Sequence, residues 1–364
     1  MMLKTIAKYL GFVLLWGLVI TVVVWANSLS TKHNNETPVQ STEITITGGG
    51  NSPLIDNNSI EKWLAMHNLT PNGGTLSKTD IAAIEHAIIK HNAVESANVY
   101  TSYDGCVRID IQQREPIARL RITGYDMYLT EDGYLLPATD CYSVRVPVIT
   151  GNYAPLFSSS YMGYTEDLVR DTIAALERHI EELEASKIPH FESLREAKRQ
   201  RREVTSQRIK RGLFTSDLEF ELINTAMKQR KTEARAKYSA TERRIMGSIA
   251  EIDASILTTK HKQKEIRRID ENFDRLIDLL LSIRDSEFWS AEVVQIVASG
   301  GGTRPLQLSI VPRSGRFVVD LGTTERLDEK LRNLRRFYDK GLDNIGWDKY
   351  RSISLRYNGQ VVCR

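Results

Sequence analysis

Eighteen consecutive uncharged residues, Tyr9 to Ala26 (YLGFVLLWGLVITVVVWA), constrain this chain more than any other stretch. A helix rises about 1.5 Å per residue, so a run of this length just crosses a hydrocarbon core of about 30 Å. Every helical face of the run is apolar, which suits lipid on all sides better than one-sided burial in a soluble domain. Lys4 and Lys8 precede it and the next charge is Lys32. Basic residues beside a span stay on the cytoplasmic side. Residues 1–8 therefore read as a cytoplasmic tail, 9–26 as a transmembrane signal anchor, and the remainder as lying beyond the membrane in a single-pass, type II arrangement. Val24-Trp25-Ala26 also offers a plausible cleavage position. The apolar core of a cleaved leader is usually about 7–15 residues, so the uncleaved anchor is the better reading.

Outside this run the 364-residue chain has room for two or three domains. Its 49 Lys and Arg face 46 Asp and Glu, a balance that argues against nucleic acid, which needs a concentrated basic excess. Three cysteines, Cys106, Cys141 and Cys363, are too few for a disulfide framework. They leave one Cys106–Cys141 bridge or reduced thiols on strands as the alternatives. The seven histidines never fall at metal-ligand spacing. No nucleophile–base pair, phosphate-binding loop or metal set is visible, so neither a cofactor nor a small-molecule substrate is expected and the chain reads as non-enzymatic.

Residues 27–42 are polar and read as a linker. Glu43 to Thr47 alternates as a half-buried strand does, and Gly48-Gly49-Gly50 ends it. Two short helical patterns follow: Ser59 to Asn68, and Lys78 to His91 with Thr79 placed to cap it. Two alternating runs then flank Asp104-Gly105, the strongest short hairpin signal a sequence offers. Val99 and Tyr100 lie in the first run, Cys106 to Gln112 in the second.

The order strand, helix, helix, strand, strand is that of a POTRA domain, here 43–115. The stretch from Ile88 to Tyr100, then Ile109-Asp110-Ile111-Gln112-Gln113-Arg114-Glu115-Pro116-Ile117-Ala118-Arg119, resembles the POTRA end of FtsQ/DivIB cell-division proteins. Tyr128 to Pro137 and Val146 to Gly151 resemble the start of that family's β domain, and the resemblance resumes at Glu287 to Ile296 and runs to Val362. The expected fold is α+β: an N-terminal transmembrane helix, a POTRA domain, and a β domain (116–164 and 286–364) interrupted at 165–285 by a helical coiled-coil hairpin.

Within the interruption, Val169, Ile173, Leu176, Ile180 and Leu183 recur at spacings of four and three, as do Ile245, Ile249, Ile252 and Ile256. These are heptad seams. Ser216-Asp217-Leu218-Glu219 has capping-box spacing that restarts a helix after a tip near Gly212, and Pro189 calls for a kink or break in the outgoing arm. The turn weakly resembles the hairpins of membrane-fusion adaptors of export systems, which is the alternative function. The flanks match the division family and not lipoyl halves.

Beyond the hairpin, Phe288 to Ala298, Leu306 to Val311 and Arg316 to Leu321 read as strands, Arg326 to Lys340 as an amphipathic helix, and Tyr350 to Val362 as one long final strand. A last strand is often a sheet edge, open to strand addition. The resemblance implies a partner site there, at Ile353, Leu355, Arg356, Tyr357, Gln360, Val361 and Val362, taking an FtsB/FtsL-like protein. It also implies contacts to other division proteins through the POTRA hairpin at Val99, Tyr100, Asp104, Gly105, Arg114, Glu115 and Pro116. The whole is expected at the division septum of the inner membrane, touching lipid through the anchor.

Overall fold

The computed structural model describes residues 15–27, 38–49, 53–71, 73–102, 104–139, 141–210, 216–302, 304–342, 346 and 349–364. Residues 15–27 form helix α1, with every side chain exposed. Among the described residues no helix is long and apolar enough to cross a membrane. The first part of the expected span, 9–14, lies outside the described residues, as do the flanking Lys4 and Lys8.

The POTRA-like part follows the expected order: β1 (Ser41–Thr47), α2 (Asn57–Met66), α3 (Ile81–Ile89), β2 (Val94–Thr101) and β3 (Cys106–Gln113). β3 is central, parallel to β1 and antiparallel to β2, with Ile109 opposite both Ile44 and Val99. Alternation puts Val107, Ile109 and Ile111 of β3 in the core beneath Ile60 and Leu64 of α2 and Ile84 and Ile88 of α3. The domain begins inside the expected linker: the Val39 amide donates to the Gly74 carbonyl at 2.8 Å and the Val39 side chain is buried. Asp80, not Thr79, caps α3, accepting the Ala83 amide at 2.9 Å, because Leu76–Lys78 forms its own 3-10 turn.

The glycine exit from β1 has a specific cause. Gln113 is fully buried and bridges two backbones, donating to the Gly48 carbonyl at 2.8 Å and accepting the Leu54 amide at 3.0 Å. Gly49, at φ +78°, lies against that amide, and a Cβ there would fall 1.6 Å from Gln113 Nε2. A side chain would expel the buried bridge.

The β domain is one mixed sheet. Its strands are β4 (Pro116–Leu120), β5 (Met127–Thr130), β6 (Tyr134–Pro137), β7 (Val148–Tyr153), β8 (Gly163–Tyr164), β9 (Val293–Gly300), β10 (Gln307–Pro312), β11 (Val318–Thr323), β12 (Ser352–Ser354) and β13 (Val362–Cys363). The order across the sheet is β13-β12-β11-β10-β9-β7-β4-β5-β6-β8. Its two sequence halves rejoin where β7 runs parallel to β9, from Val148 opposite Gln295 to Tyr153 opposite Gly300. β9 is shorter than expected because α6 (Glu287–Glu292) precedes it, capped by the Ser286 hydroxyl accepting from the Trp289 amide. α7 (Leu327–Phe337) buries Leu331 and Leu334 in the sheet's core.

POTRA part and sheet share a core. Tyr128, Leu136 and Ala138 of the sheet belong to the POTRA cluster, and Tyr142 ties the two by bonds to the Leu54 carbonyl at 2.9 Å and to Asp56 at 3.1 Å.

The interruption is two long antiparallel helices, α4 (Thr165–Ser206) and α5 (Asp217–Arg284). Buried and half-buried positions recur along both at alternating spacings of three and four, and cross-arm pairs fix the register: Gln263 to Glu177 at 2.8 Å, Lys187 to Asp253, and Arg201 to Glu242 at 3.1 Å. Ser216 caps α5 by accepting the Glu219 amide at 3.3 Å, as the spacing implies. The expected tip at Gly212 lies outside the described residues. α4 runs on through Pro189 without a break. Packing on α5 to both sides of it, through Lys187 before and Ala197 after, holds the helix across the missing amide. The last turns of α5 are more than an arm: Phe273, Leu276, Leu279, Leu280 and Ile283 are buried in the core of the sheet.

Candidate docking site at the open sheet edge

β13 closes one side of the sheet, and no strand pairs beyond it among the described residues. β12 is therefore interior. It runs parallel to β11, with Ile353 opposite Val319, and antiparallel to β13, with Ile353 opposite Cys363. The final segment is thus two short strands and not one long one. The chain turns between them at Asn358-Gly359, where Gly359 has φ +66° and the Gln360 amide reaches the Tyr357 carbonyl at 3.3 Å. Asn-Gly is itself a strong turn signal.

In an antiparallel pair the residues alternate between bonding the neighbour and facing away from it. Ser352 and Arg364 exchange both bonds, at 3.1 and 2.9 Å. Val362 then shares the inward phase, opposite Ser354. Cys363, opposite Ile353, holds the outward phase, so its N–H and C=O groups face the open edge. It lies just past the end of the expected site. Its half-buried thiol is pushed up in pKa by burial.

The other expected residues divide by burial. Ile353 and Leu355 are at most 2% exposed and belong to the core of the sheet. Tyr357, which strict alternation along one long strand would put on the same face, is 62% exposed, because the turn swings it out of the strand. Arg356 pairs with Asp320 of β11 at 2.5 Å and its aliphatic stem lies over Gly322, where a Cβ would come within 2.8 Å of Arg356 Cγ. A second tie joins Arg326 to the Asn358 side-chain oxygen. Below it Lys330 is buried, its ammonium donating to the Thr323 carbonyl at 2.7 Å, and burial holds its pKa below the ordinary lysine value. The turn 355–361 is thus clamped to β11 and α7, leaving Tyr357 and Gln360 exposed beside the free backbone of β13. An arrangement of this kind can accept an extended chain by main-chain hydrogen bonds, with Tyr357 supplying side-chain contact.

The expected POTRA residues separate into two places. Asp104 and Gly105 form the hairpin turn, with Asp104 accepting the Cys106 amide at 3.1 Å and Gly105 at φ +82°. Val99 is buried in the POTRA core and Tyr100 bonds Asp110 at 3.1 Å. Arg114, Glu115 and Pro116 lie at the opposite end of β3, in the joint with the sheet. The Arg114 guanidinium is buried, 3.5 Å from the centroid of the Tyr134 ring, with Tyr164 nearby, and Glu115 accepts the Gly49 amide at 2.8 Å. Cys106 and Cys141 are not joined by a disulfide.

Residues 38–112 match a POTRA-like domain, and residues 231–364 match the family described as FtsQ/DivIB, C-terminal related. No curated protein matches the chain. Fold and matches together define a protein of the POTRA-plus-β-domain class. The similarity over residues 231–364, behind a POTRA-like stretch, sets the chain beside the FtsQ/DivIB cell-division proteins. The second match begins within α5, in keeping with the burial of that helix's last turns in the sheet.

Proposed function

We propose that this chain is a single-pass membrane scaffold of the division machinery, anchored through 9–26 with its bulk beyond the cytoplasmic membrane. It holds an FtsB/FtsL-like partner by strand addition at β13, while the POTRA turn at Asp104-Gly105 contacts other division proteins. The observation that supports this reading best is the outward phase of Cys363 on an edge beyond which no strand pairs among the described residues, beside exposed Tyr357. Unpaired strand backbone is a template for another chain. The two clamps on 355–361 limit the ordering entropy that binding costs.

A fluorescent fusion is expected to collect at midcell, and depletion is expected to give filaments. A uniformly peripheral signal with normal division contradicts the reading.

A further inference from the structure

One face of α4 is complementary to its own reverse. Each seam residue is followed by a residue about 100° further round the helix. Past the first two, Arg170 and Ala174, these successors run towards the tip as Glu177, Glu181 and Glu184, then Ile188 and Phe191, then Arg195, Lys198 and Arg202. All are exposed, Ile188 to 59% and Phe191 to 46%. The stripe runs acidic, apolar, basic.

Within one helix this order is unfavourable, because like charges sit at i,i+3 and i,i+4. Among the described residues, Glu181, Glu184, Arg195, Lys198 and Arg202 enter no ion pair. Turned about an axis midway between Ile188 and Phe191, the stripe meets itself with opposite charge throughout. Glu184 then faces Arg195 of a second copy, Glu181 faces Lys198, Glu177 faces Arg202, and Ile188 packs on Phe191. Every contact occurs twice, as a two-fold interface requires. Met246 and Leu257 of α5, both 59% exposed, also follow seam residues, Ile245 and Ile256. On an antiparallel arm that offset lands on the same side of the hairpin, so both flank the apolar centre.

We propose that the α4–α5 hairpin is a self-association device, in which a second copy of this chain docks antiparallel along the α4 stripe. The site is distinct from β13, and the proposal does not depend on what binds there.

The test is the mass distribution of the full chain in detergent, measured across concentration by mass photometry and sedimentation equilibrium. The wild type is expected to dimerise, more weakly as salt rises. Glu181→Lys with Glu184→Lys turns four attractive contacts repulsive and should weaken the dimer about tenfold or more. Adding Arg195→Glu and Lys198→Glu restores opposite signs and should restore the dimer. Ile188→Asp should weaken it by a different route. All substituted positions are exposed, and unchanged helical circular dichroism checks the fold. A monomer at every concentration overturns the proposal. So does a dimer indifferent to the double reversal, as one held through α1 would be, or a fourfold swap that fails to restore association.

Discussion

Arg356 Nε lies 2.5 Å from Asp320 Oδ2, tying the turn before β13 to the strand two places in from the edge. Both side chains are partly solvated, at 53% and 26% exposure, and pairs of that kind contribute about 0.2–1 kcal/mol. Asp320→Asn is therefore expected to change unfolding free energy by less than about 1 kcal/mol, while loosening the turn and weakening partner capture. Denaturant titration beside a pull-down separates the two effects, and equal loss in both assays contradicts a positioning role.

Ile353 and Tyr357 lie four residues apart and should behave oppositely. Ile353 is fully buried, so Ile353→Ala should cost about 2–5 kcal/mol. Tyr357→Ala removes an exposed ring and should shift stability by about 0.5 kcal/mol or less, yet reduce capture. Chemical denaturation of both variants checks the ranking.

Gly49→Ala places a Cβ on the buried Gln113 amide at a positive φ. The expected loss is about 2–4 kcal/mol, from backbone strain together with the stranded amide. Gln113→Leu alone should cost less, since it removes the amide along with its bonds. Thermal unfolding of the two proteins decides, and a mild Gly49→Ala contradicts the account of the exit turn.

The base of α5 carries Asp274, whose pKa is raised by burial and then by Asp278, Glu166 and Glu271. A carboxyl whose folded pKa lies above its unfolded value destabilises the fold when ionised. That penalty is full above the folded pKa and vanishes as pH falls to the unfolded value near 3.9. Asp274→Asn is thus expected to raise Tm at neutral pH, with the advantage shrinking as pH drops towards about 4. Asp126 has the opposite sign: its hydrogen bonds to Arg119 lower its pKa, so its stabilisation is present above the unfolded value and is lost as pH falls through the folded one. Calorimetric scans across that range read both, and a pH-independent gain from Asp274→Asn contradicts the assignment.

The POTRA order was legible because strand and helix periods differ and Asp104-Gly105 has a single strong meaning. The two arms were legible because a seam needs only spacing. Phe288 and Trp289 misled, since an apolar pair before a strand looks like its beginning. Only the Ser286 hydroxyl on the Trp289 amide turns them into a helix. Asn358-Gly359 stood in plain view, yet the apolar residues on either side made one strand the simpler reading. The β7–β9 junction was not legible at all, because more than a hundred residues separate strands that pair directly. The role of Cys363 depends on ladder phase, which three-dimensional register alone supplies.

Paired proline substitutions in β13, assayed by capture of an FtsB-like partner after membrane crosslinking, bear most directly on strand addition. Proline removes one backbone donor: at Cys363 a donor facing the open edge, at Val362 one facing β12. Cys363→Pro is expected to fold with near-native stability and lose capture, whereas Val362→Pro should destabilise the sheet itself. Full capture by a folded Cys363→Pro protein would contradict docking at this edge.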